Sequence, residues 1–206
     1  MNTQVKADIM MLIVTIFWGS SYLFMKMGLH SIPEFNLIAL RFSIAFILAG
    51  IVFYKRLAKV DYKTIKYAFI LGLILFLVFA SITFGVKTTS ASNAGFLVSF
   101  TVIFVPLFSA LFLKKAPEKR VFLSAFLAII GIGLLTLNNQ LTMNAGDFLC
   151  ILGAALYAIH IIVTGALTRN VDSITLGILQ LGFAGVLGLL FSLSMEETAL
   201  PSTTES

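Results

Sequence analysis

The sequence predicts an all-α fold, a polytopic integral membrane helical bundle. Hydrophobic residues make up 59% of the chain and charged residues only 11%, too few to cover the surface of a soluble domain this long. The apolar residues also fall into continuous runs of about 20, the length a helix needs to cross a bilayer. The runs do not alternate in polarity and are too long for barrel strands. A mean hydropathy of +1.04 and 20 phenylalanines fit helices that face lipid.

Seven runs follow one another, near residues 8–28, 35–54, 67–86, 94–113, 120–137, 147–167 and 174–194. The first is too long for a signal-peptide core and no A-x-A site follows, so it stays as a helix. The turn SIPEF separates it from the second. The third follows a basic stretch. The fourth opens SASNAGFLVSF, where Ala91 and Gly95 form a small-xxx-small pair for close packing and Pro106 predicts a kink. In the fifth, Ala125, Ala128 and Gly131 suit helix packing alone. The sixth carries Tyr157 and His160, and the seventh carries Gln180 before the polar tail MEETALPSTTES.

Charge sets an orientation. Lys55, Arg56, Lys59, Lys63 and Lys66 lie between the second and third runs, and Lys114, Lys115, Lys119 and Arg120 between the fourth and fifth. The loop NNQLTMNAG has no Lys or Arg. The positive-inside rule makes the basic loops cytoplasmic, with the N-terminus inside and residues 195–206 outside. The net charge of +5 therefore marks topology and contact with lipid headgroups, and predicts no nucleic-acid partner. One cysteine, Cys150, excludes an internal disulfide.

The sixth and seventh runs read as a second copy of the first and second. At an offset of 139 residues Trp18 falls on Tyr157, Asp8 on Asp147, Pro33 on Asp172 and Arg41 on Gln180. The unit is then five helices, and an odd number of crossings inserts the second copy upside down, as in many secondary transporters. Residues 1–137 form the first repeat and 138–206 part of a second, with two of its helices present. The sequence thus predicts a chain cut short of a complete second repeat.

Four stretches carry a family resemblance. FWGSSYLFMKMG, IPEFNLIALRFSIA, KTTSASNAGFLVSFTVIFVPLFSALFLKK and GDFLCILGAALYAIHIIVTGALTRN resemble the EamA-like permeases of the drug/metabolite transporter superfamily. The resemblance implies ten helices in two inverted five-helix repeats, a central cavity, and carrier transport of amino acids or similar metabolites, often outward. Two departures stand out. Where members commonly have a Glu after the fourth span, this chain has Lys114, Lys115 and Ala116, and the last three helices are absent.

The polar groups within the runs are the candidate site. Trp18, Ser21, Tyr22 and Met25 share one side of the first helix, with Gly19 and Ser20 leaving room for a neighbouring helix. They line a cavity, or else pack helix on helix with hydroxyls bonded to their own carbonyls. Lys26 is expected to snorkel to the headgroups. His160 lies on one face with Tyr157 and either binds substrate, carries a proton, or is a neutral His bonded to a neighbour. Asn93, Phe96, Ser99 and Phe100 alternate hydrogen-bonding groups with rings on one face, and Gln180 is a wall residue. Arg41 stands roughly 9 Å inside the second run, cannot be neutralised, and is expected to pair with Glu34 two turns away as a structural or gating pair; the alternative is recognition of a substrate carboxylate.

The predicted activity is a secondary carrier or exporter of small metabolites working by alternating access in a bacterial inner membrane. The lipid bilayer and a small-molecule substrate are its partners, and a second copy of the chain is a candidate partner. Neither a GxxxxGK[ST] loop nor HExxH nor clustered carboxylates occurs, so no cofactor or metal is predicted. An intramembrane enzyme pairing Ser20 or Ser21 with His160 is the alternative, although it lacks a G-x-S-x-G elbow and an oxyanion donor. A non-transporting fragment and a seven-helix receptor are the others.

Overall fold

A computed structural model describes residues 3–113 and 144–196, with isolated positions between 121 and 130. The helices in order are α1 (Thr3–Gly28), α2 (Glu34–Val52), the single turn α3 (Tyr54–Leu57), α4 (Tyr62–Thr88), α5 (Ala91–Val98), α6 (Thr101–Leu113), α7 (Ala145–Leu167) and α8 (Ser173–Met195). Counting α5 and α6 as one, six segments among the described residues are long and apolar enough to cross a membrane. The chain is a multi-pass helical membrane protein. Most of the fifth predicted run, including Ala125, Ala128 and Gly131, lies outside the described residues, as do the second basic cluster and the tail beyond Glu196.

Local chemistry sets the helix ends. Asp61, Asn144 and Asp172 accept the free N–H groups at the starts of α4, α7 and α8, so each helix begins where a side chain can satisfy it. The Asp61 cap starts α4 five residues earlier than the apolar run suggested, bringing Lys63 and Lys66 onto its first turns. The fourth run is divided, but not at its proline. Pro106 sits within α6, while the break lies at Ser99 and Phe100. There Ser99 Oγ donates to Phe96 O and Thr101 Oγ1 to Val98 O, competing with the backbone for carbonyls.

At the centre of the bundle runs α4. It is apolar all round, with half of its most hydrophobic window buried, and contributes to all three core clusters. It packs chiefly on α7 and α8, and α2 packs on α8. Glycines let these seams close. A Cβ on Gly185 of α8 would come within 2.9 Å of Ser43 Oγ and 3.1 Å of Ser43 N on α2. A Cβ on Gly85 of α4 would stand 2.8 Å from Gly146 O on α7. Not all phenylalanines face outward: Phe17 and Phe24 do, but Phe42 and Phe76 are core residues, and the rings of Phe35, Phe76 and Phe191 cluster across α2, α4 and α8.

Contacts at the two ends give the relative directions. The end of α1 meets the end of α4 through Lys26, and the α4–α5 turn meets the start of α7 through Asp147. At the opposite end Arg56, after α2, pairs with Asp172, before α8. So α7 and α8 run antiparallel to α1 and α2. Their boundaries also match at the 139-residue offset, Gly28 falling on Leu167 and Glu34 on Ser173.

Candidate functional site

The helix α1 meets the α7–α8 half of the bundle through side chains rather than backbone. Trp18 reaches Tyr157 of α7, ring centroids 5.7 Å apart and tilted 46°. Trp18 also lies 6.5 Å from Tyr22, and Tyr157 stacks on His160 at 5.9 Å with 9° between planes. His160 Nε2 donates to Gln180 Oε1 of α8 at 2.9 Å. Four of the predicted residues thus form one continuous aromatic and polar strip from α1 across α7 to α8. Tyr22 joins its near end and is buried against Gly95 of α5, 3.5 Å from a Cβ there.

A second contact crosses from α1 to α2. Arg41 Nη2 donates to Ser21 Oγ at 3.5 Å, a long bond, and the guanidinium lies 4.7 Å from the centre of the Phe79 ring on α4, in cation–π range. Ser21 Oγ in turn donates to Trp18 O at 2.7 Å. Beside these residues, α1 and α5 border a cleft of ≈ 290 Å³ that includes Thr15, Trp18, Gly19, Tyr22, Gly95 and Ser99. No neighbouring helix fills the space over Gly19; a Cβ there would meet nothing within 4 Å.

The structure places other predicted residues elsewhere. Asn93 sits at the end of the bundle, its Nδ2 donating to Asp147 Oδ1 at 2.6 Å and to Thr89 Oγ1 at 3.0 Å. Asp147 is buried and also accepts from Thr89 Oγ1 and from the Asn144 backbone N–H. These bonds tie the α4–α5 turn to the start of α7, away from the aromatic strip. The Phe96 carbonyl holds the Ser99 hydroxyl, and its ring is not part of the cleft wall.

The expected Arg41–Glu34 pair does not form. Glu34 is buried in the first turn of α2 and pairs with Lys87 at the end of α4. Two turns separate Glu34 from Arg41 on one helix, whereas the end of α4 is level with the start of α2. Lys26 does not snorkel either. Its Nζ donates to the carbonyls of Val86, Lys87 and Thr89 at 2.8, 3.0 and 2.8 Å, satisfying the C-terminal end of α4 with a positive charge.

Glu196, just past α8, is a contact the sequence reading missed. Its carboxylate accepts from the backbone N–H groups of Phe35 at 2.6 Å and Asn36 at 2.9 Å, capping α2 from another helix. A signal existed: Pro33 precedes α2 and offers no side-chain cap. The serine–histidine pairing of the enzyme alternative is not formed. Ser20 Oγ donates to Ile16 O and Ser21 Oγ to Trp18 O, while His160 holds Gln180.

Comparisons with known proteins point to a transporter family. Residues 5–137 match the model of the EamA-like transporter family. An uncharacterized transporter of Archaeoglobus fulgidus is 30% identical over 163 residues, 79% of this chain and 50% of the relative. A second from the same organism is 28% identical over 194 residues, 90% of this chain and 65% of the relative. The uncharacterized transporter YcxC of Bacillus subtilis is 31% identical over 119 residues, 56% of this chain and 38% of the relative. The chain therefore spans between about a third and two thirds of the length of these relatives. No solved structure matches it. With a family match over well more than half its length, the chain belongs to the EamA-like transporter family.

Proposed function

We propose that the chain carries small metabolites, amino acids or compounds like them, across a membrane by alternating access. The observation that carries this reading is the contact of Trp18 with Tyr157, extended by His160 and Gln180. Aromatic, imidazole and amide groups at mid-bilayer depth are costly facing lipid and useful facing a water-filled path. Trp18 and Tyr157 stand at equivalent positions of two antiparallel helix pairs, the arrangement in which one repeat rocks against the other around a central site. The rings would take apolar parts of the cargo, and His160 and Gln180 its hydrogen-bonding groups. A solute or proton gradient would supply the energy. The basic residues from Lys55 to Lys66 favour a cytoplasmic N-terminus in a plasma membrane.

Uptake of labelled amino acids into proteoliposomes bearing the protein tests this. Tyr157→Ala is expected to lower the initial rate about tenfold, the effect of losing one aromatic contact of about 1.4 kcal/mol. Equal uptake by variant and parent, or no uptake above empty liposomes for any amino acid or related metabolite, would contradict it.

A further inference from the structure

Arg41 is a cation with no carboxylate partner among the described residues. Lys87 pairs with Glu34, Arg56 pairs with Asp172, and Lys26 is held by three carbonyls. Arg41, with five N–H donors, has one hydroxyl at 3.5 Å and one aromatic face. No described carboxylate lies within 4 Å of it. An unneutralised charge at this depth is expensive, and guanidinium cannot shed its proton to relieve the cost.

A comparison within the molecule sharpens the point. The Arg41–Ser21 contact and the Gln180–His160 contact join residues 20 apart in sequence, and each residue of one pair falls on its counterpart in the other at the 139-residue offset. Gln180 closes its bond to 2.9 Å without any charge. Bridging the two helices therefore needs only a neutral amide. Arg41 makes a looser bridge and brings a positive fork that can bind a carboxylate through two parallel N–H···O bonds.

We propose that Arg41, with Ser21 beside it, binds a carboxylate of the cargo, whose apolar body lies on the rings of Trp18 and Tyr157. The inference rests on the carrier reading and assigns to Arg41 the carboxylate end of its cargo. The spacing fits. Ser21 is three residues from Trp18 on the same side of α1, so the carboxylate and the ring platform are about one helical turn apart, roughly 5 Å. A carboxylate two or three bonds from an apolar group spans that distance. The Phe79 face holds the guanidinium by its flat side, which leaves its edge N–H donors, apart from the one on Ser21, able to reach an acceptor.

Trp18 is the chain's single tryptophan, so its fluorescence reports on the platform directly. The probes are 3-phenylpropionate and its uncharged amide, titrated at neutral pH into the protein in lipid nanodiscs. The parent is expected to bind the acid at least about tenfold more tightly than the amide, the discrimination one charge-assisted hydrogen-bond pair provides. Arg41→Gln should abolish that preference, so that acid and amide bind within about twofold of each other. Arg41→Lys, which keeps the charge but loses the fork, should fall between them. Equal binding of acid and amide by the parent, a preference that survives in Arg41→Gln, or no saturable response to either probe would overturn the proposal.

A measurement on the parent guards against a variant that fails to fold. Phenylglyoxal modification followed by mass spectrometry should show the acid, and not the amide, slowing reaction at Arg41, while the exposed Arg169 is unaffected; unchanged reaction at Arg41 overturns the assignment. The two readings fail separately. Loss of the acid preference with uptake intact removes the anion site and leaves the carrier, whereas acid preference without uptake removes the carrier alone.

Discussion

His160 and Gln180 bridge α7 and α8 in the same way that Ser21 and Arg41 bridge α1 and α2. One bridge is neutral and short, the other cationic and long. Between them lie Trp18 and Tyr157, the counterpart residues whose rings meet. The Ser21–Arg41 bridge, the Trp18–Tyr157 contact and the His160–Gln180 bridge thus gather in one part of the bundle, framed by helix pairs of opposite direction.

Lys26 is expected to be a stabilising residue. Lys26→Met keeps the apolar stem and removes the charge from three C-terminal carbonyls of α4. The loss should be about 1–2 kcal/mol, the range for a cation at a partly buried helix C-terminus. Thermal unfolding in detergent micelles reads it as a lowered midpoint; an unchanged midpoint would return Lys26 to a headgroup role.

Closure of α8 on α2 depends on Gly185. Gly185→Val would drive a branched side chain into Ser43 and its backbone, which cannot move without opening the seam. A destabilisation of about 1–3 kcal/mol is expected, as for an overpacked core, with unfolding again the readout. Gly165, whose Cβ position is open, is the control, and Gly165→Ala should be neutral or stabilising.

Acid should weaken the end of the bundle that holds Asp172. Its carboxyl lies below the ordinary value of 3.8, held there first by the Thr175 hydroxyl, then by the Thr175 N–H, with Arg56 adding to them. A lowered folded value means that the unfolded chain binds the proton more tightly. The stabilisation is therefore full at neutral pH and fades as pH falls through the folded value, below about 4. Asp172→Ala should melt below the parent at pH 7, and the gap should narrow toward pH 3 without vanishing, since a protonated carboxyl still accepts from the cap N–H. A gap independent of pH would show that the charge is irrelevant.

Glu196 should hold α2 and α8 together at the other end. Glu196→Ala leaves two N–H groups at the start of α2 without their carboxylate. Removing such a cap costs about 0.5–2 kcal/mol. Hydrogen exchange at Phe35 and Asn36 should quicken in the variant while the α4 core stays protected; unchanged exchange would mean that another group caps α2.

The helices themselves were legible because crossing a bilayer demands length and apolarity, and both are visible in one dimension. The 139-residue offset relates Trp18 to Tyr157 across segments that no local pattern connects, whereas the ring contact between them and the His160–Gln180 bond appear only in three dimensions. Where structure and sequence differ, the cause is shared. Sequence pairs Glu34 within its own helix and Lys26 with headgroups, yet their partners, Lys87 and the carbonyls at the end of α4, lie on another helix at the same level. Asn93 shared a helix face with Ser99 but not its depth, and depth decided that it would meet Asp147. The break in the fourth span came from hydroxyls at Ser99 and Thr101 competing for carbonyls, a quieter signal than Pro106.

The most direct test of the account is water access at Tyr157. In a Cys150→Ala background, Tyr157→Cys should react with a membrane-impermeant thiol reagent at a rate comparable to a cysteine placed at Ser99 on the cleft wall. A Tyr157→Cys protein that stays unlabelled, while a cysteine at the exposed Asn170 labels fully, would contradict a water-filled path beside Trp18 and His160.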